Sequence, residues 1–284
     1  MRYGMAVDLD RCIGCRTCAV ICKDHHAQPE GIWWNRVFAP GAPEYGTSVL
    51  GDDGQPRMEF LPVSCQHCED APCQSVCPTG ATYTDEAGTV LVDYERCIGC
   101  RYCMTACPYG VRQFNWGEAE PLPGTGGTTY SYGYPAEYRQ DGRLVYAPKR
   151  PEGVVEKCTF CVQYTSQGVE PACCAGCPGN ARIFGDLDDP DSEISRYLEG
   201  RETFVLGEEH GTHPKVYYLK STRGVEDAGE LLAFYGLSAA GAAASSESGG
   251  SDDTGANESG SGAGAGASGD GAAAQGATGG KDGE

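Results

Sequence analysis

Val7-Asp8-Leu9-Asp10-Arg11-Cys12-Ile13-Gly14-Cys15-Arg16-Thr17-Cys18 returns 85 residues later as Val92-Asp93-Tyr94-Glu95-Arg96-Cys97-Ile98-Gly99-Cys100-Arg101-Tyr102-Cys103, with nine of twelve positions identical. Chance does not produce such a copy, so the chain is built on an internal repeat. A β-type run enters each copy, Tyr3 to Leu9 in the first and Thr89 to Tyr94 in the second. Each run leads into a loop holding three cysteines in seven residues. A fourth cysteine follows after three intervening residues, Cys22 in the first copy and Cys107 in the second, the latter succeeded by Pro108.

Two further groups vary this spacing. Cys65, Cys68, Cys73 and Cys77 form C-x2-C-x4-C-x3-C before Pro78, and Cys158, Cys161, Cys173 and Cys177 form C-x2-C-x11-C-x3-C before Pro178. Cys174 is the seventeenth cysteine. A disulfide scaffold requires an oxidising compartment and pairs its cysteines. The odd total, the want of an export signal and the strained geometry of x2 neighbours all oppose it. Structural zinc takes four ligands, typically as two C-x2-C pairs set well apart. Three cysteines in one tight loop suit three corners of a cubane better, with backbone N–H groups turned toward the sulfides. The C-x2-C-x2-C-x3-C-P run is the bacterial ferredoxin signature, in which the fourth cysteine serves the neighbouring cluster. Sixteen cysteines in four groups therefore predict four [4Fe–4S] clusters in two pseudo-symmetric pairs. No group replaces a cysteine, so no [3Fe–4S] site is expected. A cubane with four thiolates carries about −2, which gives Arg11, Arg16, Arg96, Arg101 and Lys157 an electrostatic use beside the loops.

The 284 residues carry 40 acids against 21 bases, a formal net charge of −19, at a mean hydropathy of −0.40. That balance argues against nucleic acid, which selects a basic stripe, and against anionic membrane surfaces. Solubility in a high-salt cytoplasm, a halophilic adaptation, explains such evenly spread acidity better than a cationic partner does. No apolar run approaches the roughly 20 residues of a membrane span. The N-terminus reaches Cys12 without a basic segment, an apolar segment or a twin arginine, so neither signal peptide nor anchor is expected.

From Ser238 to Glu284 the composition changes: 35 of 47 residues are Gly, Ala or Ser. Such a segment buries too little apolar surface to offset its ordering entropy, and residues 238–284 are expected to be a disordered acidic tail. Elsewhere, Met58 to Val63 predicts a strand, Pro190-Asp191-Ser192 a helix start for Glu193 to Leu198, Lys215 to Leu219 a strand, and Glu226 to Tyr235 a short final helix. Residues 117–150, rich in Gly, Pro and Tyr, predict an irregular insertion. The fold class expected is α+β, with short strands, short helices and long loops around the cysteines.

With its cysteine groups in this order, the chain resembles the electron-transfer (beta) subunits of molybdopterin oxidoreductases, in the dimethyl sulfoxide, polysulfide, tetrathionate and formate-dependent nitrite reductase branch. Beyond the cysteines, Cys177-Pro178-Gly179-Asn180-Ala181-Arg182-Ile183-Phe184-Gly185-Asp186-Leu187-Asp188-Asp189-Pro190 carries the likeness, with Gly31 to Val37 and Pro214 to Leu219. The resemblance implies that the first group pairs with the fourth and the second with the third. One cluster would take Cys12, Cys15, Cys18 and Cys177, and its partner Cys158, Cys161, Cys173 and Cys22. The other pair would take Cys65, Cys68, Cys73 with Cys107, and Cys97, Cys100, Cys103 with Cys77. Two departures stand out: Cys22 is followed by Lys23 rather than Pro, and Cys174 competes with Cys173, although only Cys173 keeps the x3 spacing.

The implied architecture is two ferredoxin-like two-cluster modules, one inserted in the other. Residues 1–55 and 151–237 would form the outer module, residues 56–116 the inserted one, and 117–150 the irregular insertion. The implied partners are a molybdopterin-containing catalytic subunit and a multi-span, quinone-interacting membrane anchor, in anaerobic respiration. The chain would then be a membrane-associated peripheral subunit that conducts single electrons and does no substrate chemistry. An electron relay for a formate dehydrogenase or hydrogenase keeps the fold and changes the partners. A catalyst acting alone lacks support: no Gly-rich phosphate loop, G-x-S-x-G or H-E-x-x-H occurs. Of the histidines, His25 and His26 are expected at the surface, and His67 as a donor behind a cysteine ligand or solvent-facing. Trp33 and Trp34 are expected in the core or at a partner interface.

Overall fold

The computed structural model describes residues 1–29, 31–39, 49–50, 56–57, 60–117, 137–147 and 150–219. The helix expected over Glu226 to Tyr235 and the tail lie outside the described residues. In chain order the first elements are β1 (Tyr3–Asp8), α1 (Thr17–His25), β2 (Asn35–Phe38), β3 (Val49–Leu50), β4 (Pro56–Arg57), β5 (Leu61–Ser64), α2 (Pro72–Ser75), β6 (Thr82–Thr84), β7 (Val90–Val92) and α3 (Tyr102–Thr105). There follow β8 (Gln113–Phe114), β9 (Tyr138–Gln140), β10 (Arg143–Tyr146), β11 (Val155–Glu156), α4 (Val162–Thr165), α5 (Ala172–Ala175), β12 (Arg182–Asp186), α6 (Glu193–Leu198), β13 (Thr203–Phe204) and β14 (Val216–Leu219).

β1 lies inside a four-stranded sheet of order β12-β1-β14-β13. It pairs antiparallel with β12, Tyr3 opposite Asp186, and parallel with β14, Met5 opposite Val216. Both neighbours come from the far end of the described chain, so five of its six residues are buried, as its Met5-Ala6-Val7 run requires. The remaining strands form two-stranded ribbons, among them β6 with β7 and β2 with β5.

The two repeat copies fold alike. The Asp8 carboxylate accepts N–H bonds from Asp10 and Arg11 at 2.9 and 3.1 Å, and the Asp93 carboxylate accepts from Glu95 at 3.0 Å. These local bonds start the cysteine loop in each copy. The Asp8 N–H donates to the Ala181 carbonyl at 2.8 Å, and the Asp93 N–H to the Ala81 carbonyl at the same 2.8 Å. Each copy is thereby tied to the step that follows a Cys-Pro elsewhere, Cys177 to Ala181 for the first and Cys77 to Ala81 for the second. Gly99 shows why the loop demands glycine. Its φ is +66°, and a Cβ there would meet the Gly153 carbonyl oxygen at 1.9 Å.

The helices are short, and one of them is capped as its sequence implies: Ser192 accepts the Ser195 N–H at 3.2 Å and starts α6. Of residues 117–150, the described stretch 137–147 holds a hairpin of β9 and β10 rather than irregular chain. Its turn, Asp141-Gly142, has φ of +50° and +79°, the left-handed pair that a tight hairpin uses. Met5, Val7, Trp34, Leu61, Val63, Phe160 and Tyr218 share the largest apolar cluster with cysteines of all four groups. The interior is therefore built around sulfur as much as around hydrocarbon. Among the described residues no helix is long and apolar enough to cross a membrane.

Candidate iron–sulfur centres

A helical turn separates the third and fourth cysteine of every group. Cys18 and Cys22 lie in α1; Cys73, Cys103 and Cys173 lie in α2, α3 and α5, with Cys77, Cys107 and Cys177 just beyond them. Four residues of helix advance about 6 Å along the axis. The fourth sulfur of each group is consequently carried away from its own loop and toward a neighbouring one.

The cavities show where these sulfurs go. Cys12, Cys15 and Cys18 line a space of about 360 Å³ together with Cys177. Cys65, Cys68 and Cys73 line one of about 320 Å³ together with Cys107. Cys97, Cys100 and Cys103 line another of about 320 Å³ together with Cys77. The remaining four, Cys22, Cys158, Cys161 and Cys173, are all buried. They face one another: the Cys161 thiol is pushed up by burial and by neighbouring Cys173, Cys22 and Cys158. All seventeen cysteines are free of disulfides. Among the described residues no three His, Cys, Asp or Glu side chains converge closely enough for a single metal ion. The donors are spread around volumes, as a polynuclear group needs.

The electrostatics fit such a group. Burial pushes the Cys68 and Cys158 thiols up to about 12, so these sulfurs resist ionisation until a cation offsets the lost hydration. Backbone N–H groups already point at several of them: Thr82 to Cys77 Sγ at 3.4 Å, Phe160 to Cys158 Sγ at 3.4 Å and Ala181 to Cys177 Sγ at 3.3 Å. Gln28 donates its amide to Cys22 Sγ at 3.2 Å. Cys174 donates to Cys173 and holds that thiol below the usual range, so the x3 cysteine is the better thiolate of the two.

Two buried arginines were invisible to a reading of the sequence alone. Arg112 lines two of the cysteine cavities and Arg182 a third. Arg112 donates to Thr82 Oγ1 at 3.2 Å, but its Nη2 is buried without a partner. A buried cation atom left without an acceptor is costly, and an anionic cluster in the adjoining cavities would supply one. The residues present thus fit a [4Fe–4S] group.

The cations expected at the loops have mixed fates. Lys157 is fully buried and donates to the Val90 and Cys158 carbonyls. Arg101 lies over the rings of Phe114 and Trp116, at 5.0 and 4.9 Å. Arg11 and Arg16 line the first cavity, and Arg96 stays exposed. The histidine expectations need correction. His26 is 1% exposed, packs at a tilt against Trp34 with ring centres 4.6 Å apart and places Nε2 3.2 Å from Cys161 Sγ. His25 is half-buried on the Tyr164 hydroxyl, 2.8 Å away. His67 is fully buried, stacked on Phe160 at 3.7 Å, and its Nδ1 accepts the Val90 N–H. Trp34 is a core residue, and its indole N–H donates to Glu156.

Comparison with known proteins agrees with this chemistry. A family described as 4Fe-4S dicluster domain matches residues 56–121 and 144–187, and a second of the same description matches residues 11–81. Two dicluster domains imply four [4Fe–4S] clusters. A Halobacterium salinarum protein bearing the name of a dimethyl sulfoxide reductase iron–sulfur subunit is 46% identical over 222 residues, 76% of this chain and 78% of that one. The arsenate respiratory reductase iron–sulfur subunit of Shewanella sp. strain ANA-3 is 37% identical, across 78% of this chain and 97% of its own. The iron–sulfur cluster-binding subunit of a Nitratidesulfovibrio vulgaris menaquinone reductase is 33% identical, across 81% and 93%.

Proposed function

Since the chain belongs to the family of 4Fe–4S dicluster electron-transfer subunits of anaerobic respiratory reductases, we propose that it is the relay between a quinol-oxidising membrane anchor and a molybdopterin catalytic subunit. The observation that carries this reading is the grouping of cysteines around the cavities. Three from one loop meet a fourth from another loop at each of three spaces, and the last four face one another. We assign Cys12, Cys15, Cys18 and Cys177 to one cluster and Cys22, Cys158, Cys161 and Cys173 to its neighbour. Cys65, Cys68, Cys73 and Cys107 take a third, and Cys77, Cys97, Cys100 and Cys103 a fourth. The first two make the outer module and the last two the inserted one.

Bound clusters supply one-electron chemistry whose potential the protein tunes by charge, hydrogen bonding and exposure. The residues here hold those groups in a row. Cys18 and Cys173 share the surroundings of Arg182, Cys158 is pushed up by burial and then by neighbouring Cys65, and Cys103 by burial and then, in part, by neighbouring Cys73. That adjacency orders the four sets as Cys12/15/18/177, Cys22/158/161/173, Cys65/68/73/107 and Cys77/97/100/103. The end sets each include an exposed cysteine, Cys15 and Cys100, flanked by exposed Ile13 and Ile98, whereas the inner sets are almost wholly covered. Entry and exit at the two ends, with water kept from the middle, is what a relay requires. In this reading catalysis belongs to a partner subunit. The chain would attach to the membrane peripherally, through the anchor. The halophilic reading of the acidic composition is supported by the relative from Halobacterium salinarum.

The test is anaerobic purification of the native complex. The chain should carry about sixteen iron and sixteen acid-labile sulfide, from four cubanes, and should come with a molybdopterin subunit and a multi-span anchor. Stoichiometric zinc with little iron would end the cluster assignment. Isolation with a hydrogenase would favour the alternative relay.

A further inference from the structure

Arg112 and Arg182 share an offset from a Cys-Pro step, though they are not equivalent in the repeat, where Thr82 holds the place of Arg182. Each stands five residues past the cysteine of a Cys-Pro step, Cys107-Pro108 for one and Cys177-Pro178 for the other. Both are nearly fully buried, at 3% and 5% exposure. A guanidinium does not lose its proton, so burial leaves it a cation that needs anions. Among the described residues neither has a carboxylate partner. Arg182 donates to the neutral Asn35 Oδ1 at 2.9 Å, and Arg112 to the neutral Thr82 Oγ1. Around Arg112 stand Cys103 on one side and Cys65, Cys73 and Cys107 on the other, drawn from the two cavities it lines. Arg182 lines the cavity of Cys12, Cys15, Cys18 and Cys177, and its Nη1 reaches Cys173 Sγ of the adjoining set at 3.9 Å.

Each arginine therefore stands between two sets of cysteines, one pair in each proposed module. A donor dedicated to one sulfur would approach one set. We propose that Arg112 and Arg182 are shared counter-cations, one per module, each raising the reduction potential of both clusters between which it lies. This rests on the ligand assignment above. The reason is Coulombic. Reduction adds an electron to a group already near −2, beside a second such group, in surroundings of low dielectric constant. A fixed cation between them favours the added charge on either side and lessens the repulsion across the gap. Arg112 Nη2, buried and unpartnered, is the atom that such a pair of anions would satisfy.

The experiment is EPR-monitored redox titration of the iron-loaded full-length chain carrying Arg112→Gln or Arg182→Gln. Each variant is expected to shift two of the four spectral components toward the oxidised form, about tenfold or more in the reduction equilibrium, which is about 59 mV per tenfold for one electron. The two variants should move different pairs, so no prior assignment of spectra is needed. Arg112→Lys and Arg182→Lys should keep potentials close to wild type, since the charge is retained. A shift of one component only, of the same components by both variants, of all four equally, or of none would overturn the proposal. Should a Gln variant lose iron, the Lys variant decides: both components held near wild type supports sharing, and a fall in either refutes it. Iron content separates the two levels of inference, because zinc in place of iron in the wild-type chain defeats the cluster reading itself.

Discussion

Glu156 offers the sharpest test of how the two halves are joined. Its carboxylate lies 2.7 Å from the Arg150 guanidinium, with both side chains at 1% exposure or less. It also accepts the Trp34 indole N–H at 3.1 Å and the Asn115 amide at 2.8 Å. Arg150 in turn donates to the His26, Ala147 and Ala27 carbonyls at 2.6, 2.9 and 3.0 Å. The segment after the first cysteine group, the segment after the third and the segment before the fourth thus meet on one buried ion pair. Replacing Glu156 with Leu leaves the Arg150 cation without its anion, at a cost of about 3–5 kcal/mol. The orphaned indole N–H adds about 1 kcal/mol, for a total near 4–6 kcal/mol. In a fold of this size each kcal/mol moves the thermal midpoint by about 2–4 °C, so a fall of about 8–24 °C is expected. The assay is anaerobic thermal unfolding followed by bleaching of the cluster absorbance, for wild type, Glu156→Leu, Arg150→Met and the double variant. The double variant should recover more than half of the Glu156→Leu loss, because no bare charge remains. A single-variant fall below about 3 °C, or single losses that simply add in the double, would refute the network as the joint between these segments.

Other outcomes follow from the same structure. Cys77→Ser should perturb the EPR component that Cys97→Ser perturbs, and Cys107→Ser the one that Cys65→Ser perturbs; pairing of Cys77 with Cys65 instead would make ligation local and undo the cross-linked module. Apo-chain stripped of iron should lose most of its far-UV CD structure, since buried thiols that burial keeps protonated cannot hold the interior together alone; a fully folded apo-chain would contradict this. Truncation after Leu237 should leave iron content and thermal midpoint unchanged, on the compositional reading of residues 238–284. A substantial fall in either would show that this segment packs.

Much of this was legible because the cysteines impose it. Their spacing marks the loops, and a local carboxylate, Asp8 or Asp93, marks each loop start within four residues of the first ligand. Ser192 announced α6 for the same reason: a cap is a local interaction. The β9–β10 hairpin was legible too and was hidden by its company. Its Asp141-Gly142 turn signal sits in a Gly- and Pro-rich stretch where composition suggested no order. The histidines failed for a different reason. Polarity and proximity to a loop placed His26 at the surface, while Trp34 and Tyr146, the latter far along the chain, enclose it. Arg112 and Arg182 were lost to the same bias, that a cation is exposed until shown a partner. Their equal offset from a Cys-Pro step was the available signal, and it acquires meaning only once the step is known to end at a cavity.

β1 carries a consequence for biogenesis. It leaves the ribosome before every other strand described here, yet both of its neighbours, β12 and β14, lie beyond residue 181. At about 5–20 residues per second of synthesis, its edges and the cysteines just after it wait on the order of 10–40 s for the strands and sulfurs that complete them. During that interval the nascent chain displays an apolar strand and reactive thiols while the β6–β7 ribbon, whose strands are close in sequence, can already close. Cluster delivery to the sites beside β1 is thereby deferred until β14 has been made. A chaperone or a cluster-loading machine acting on this chain would find its last unfinished site around β1.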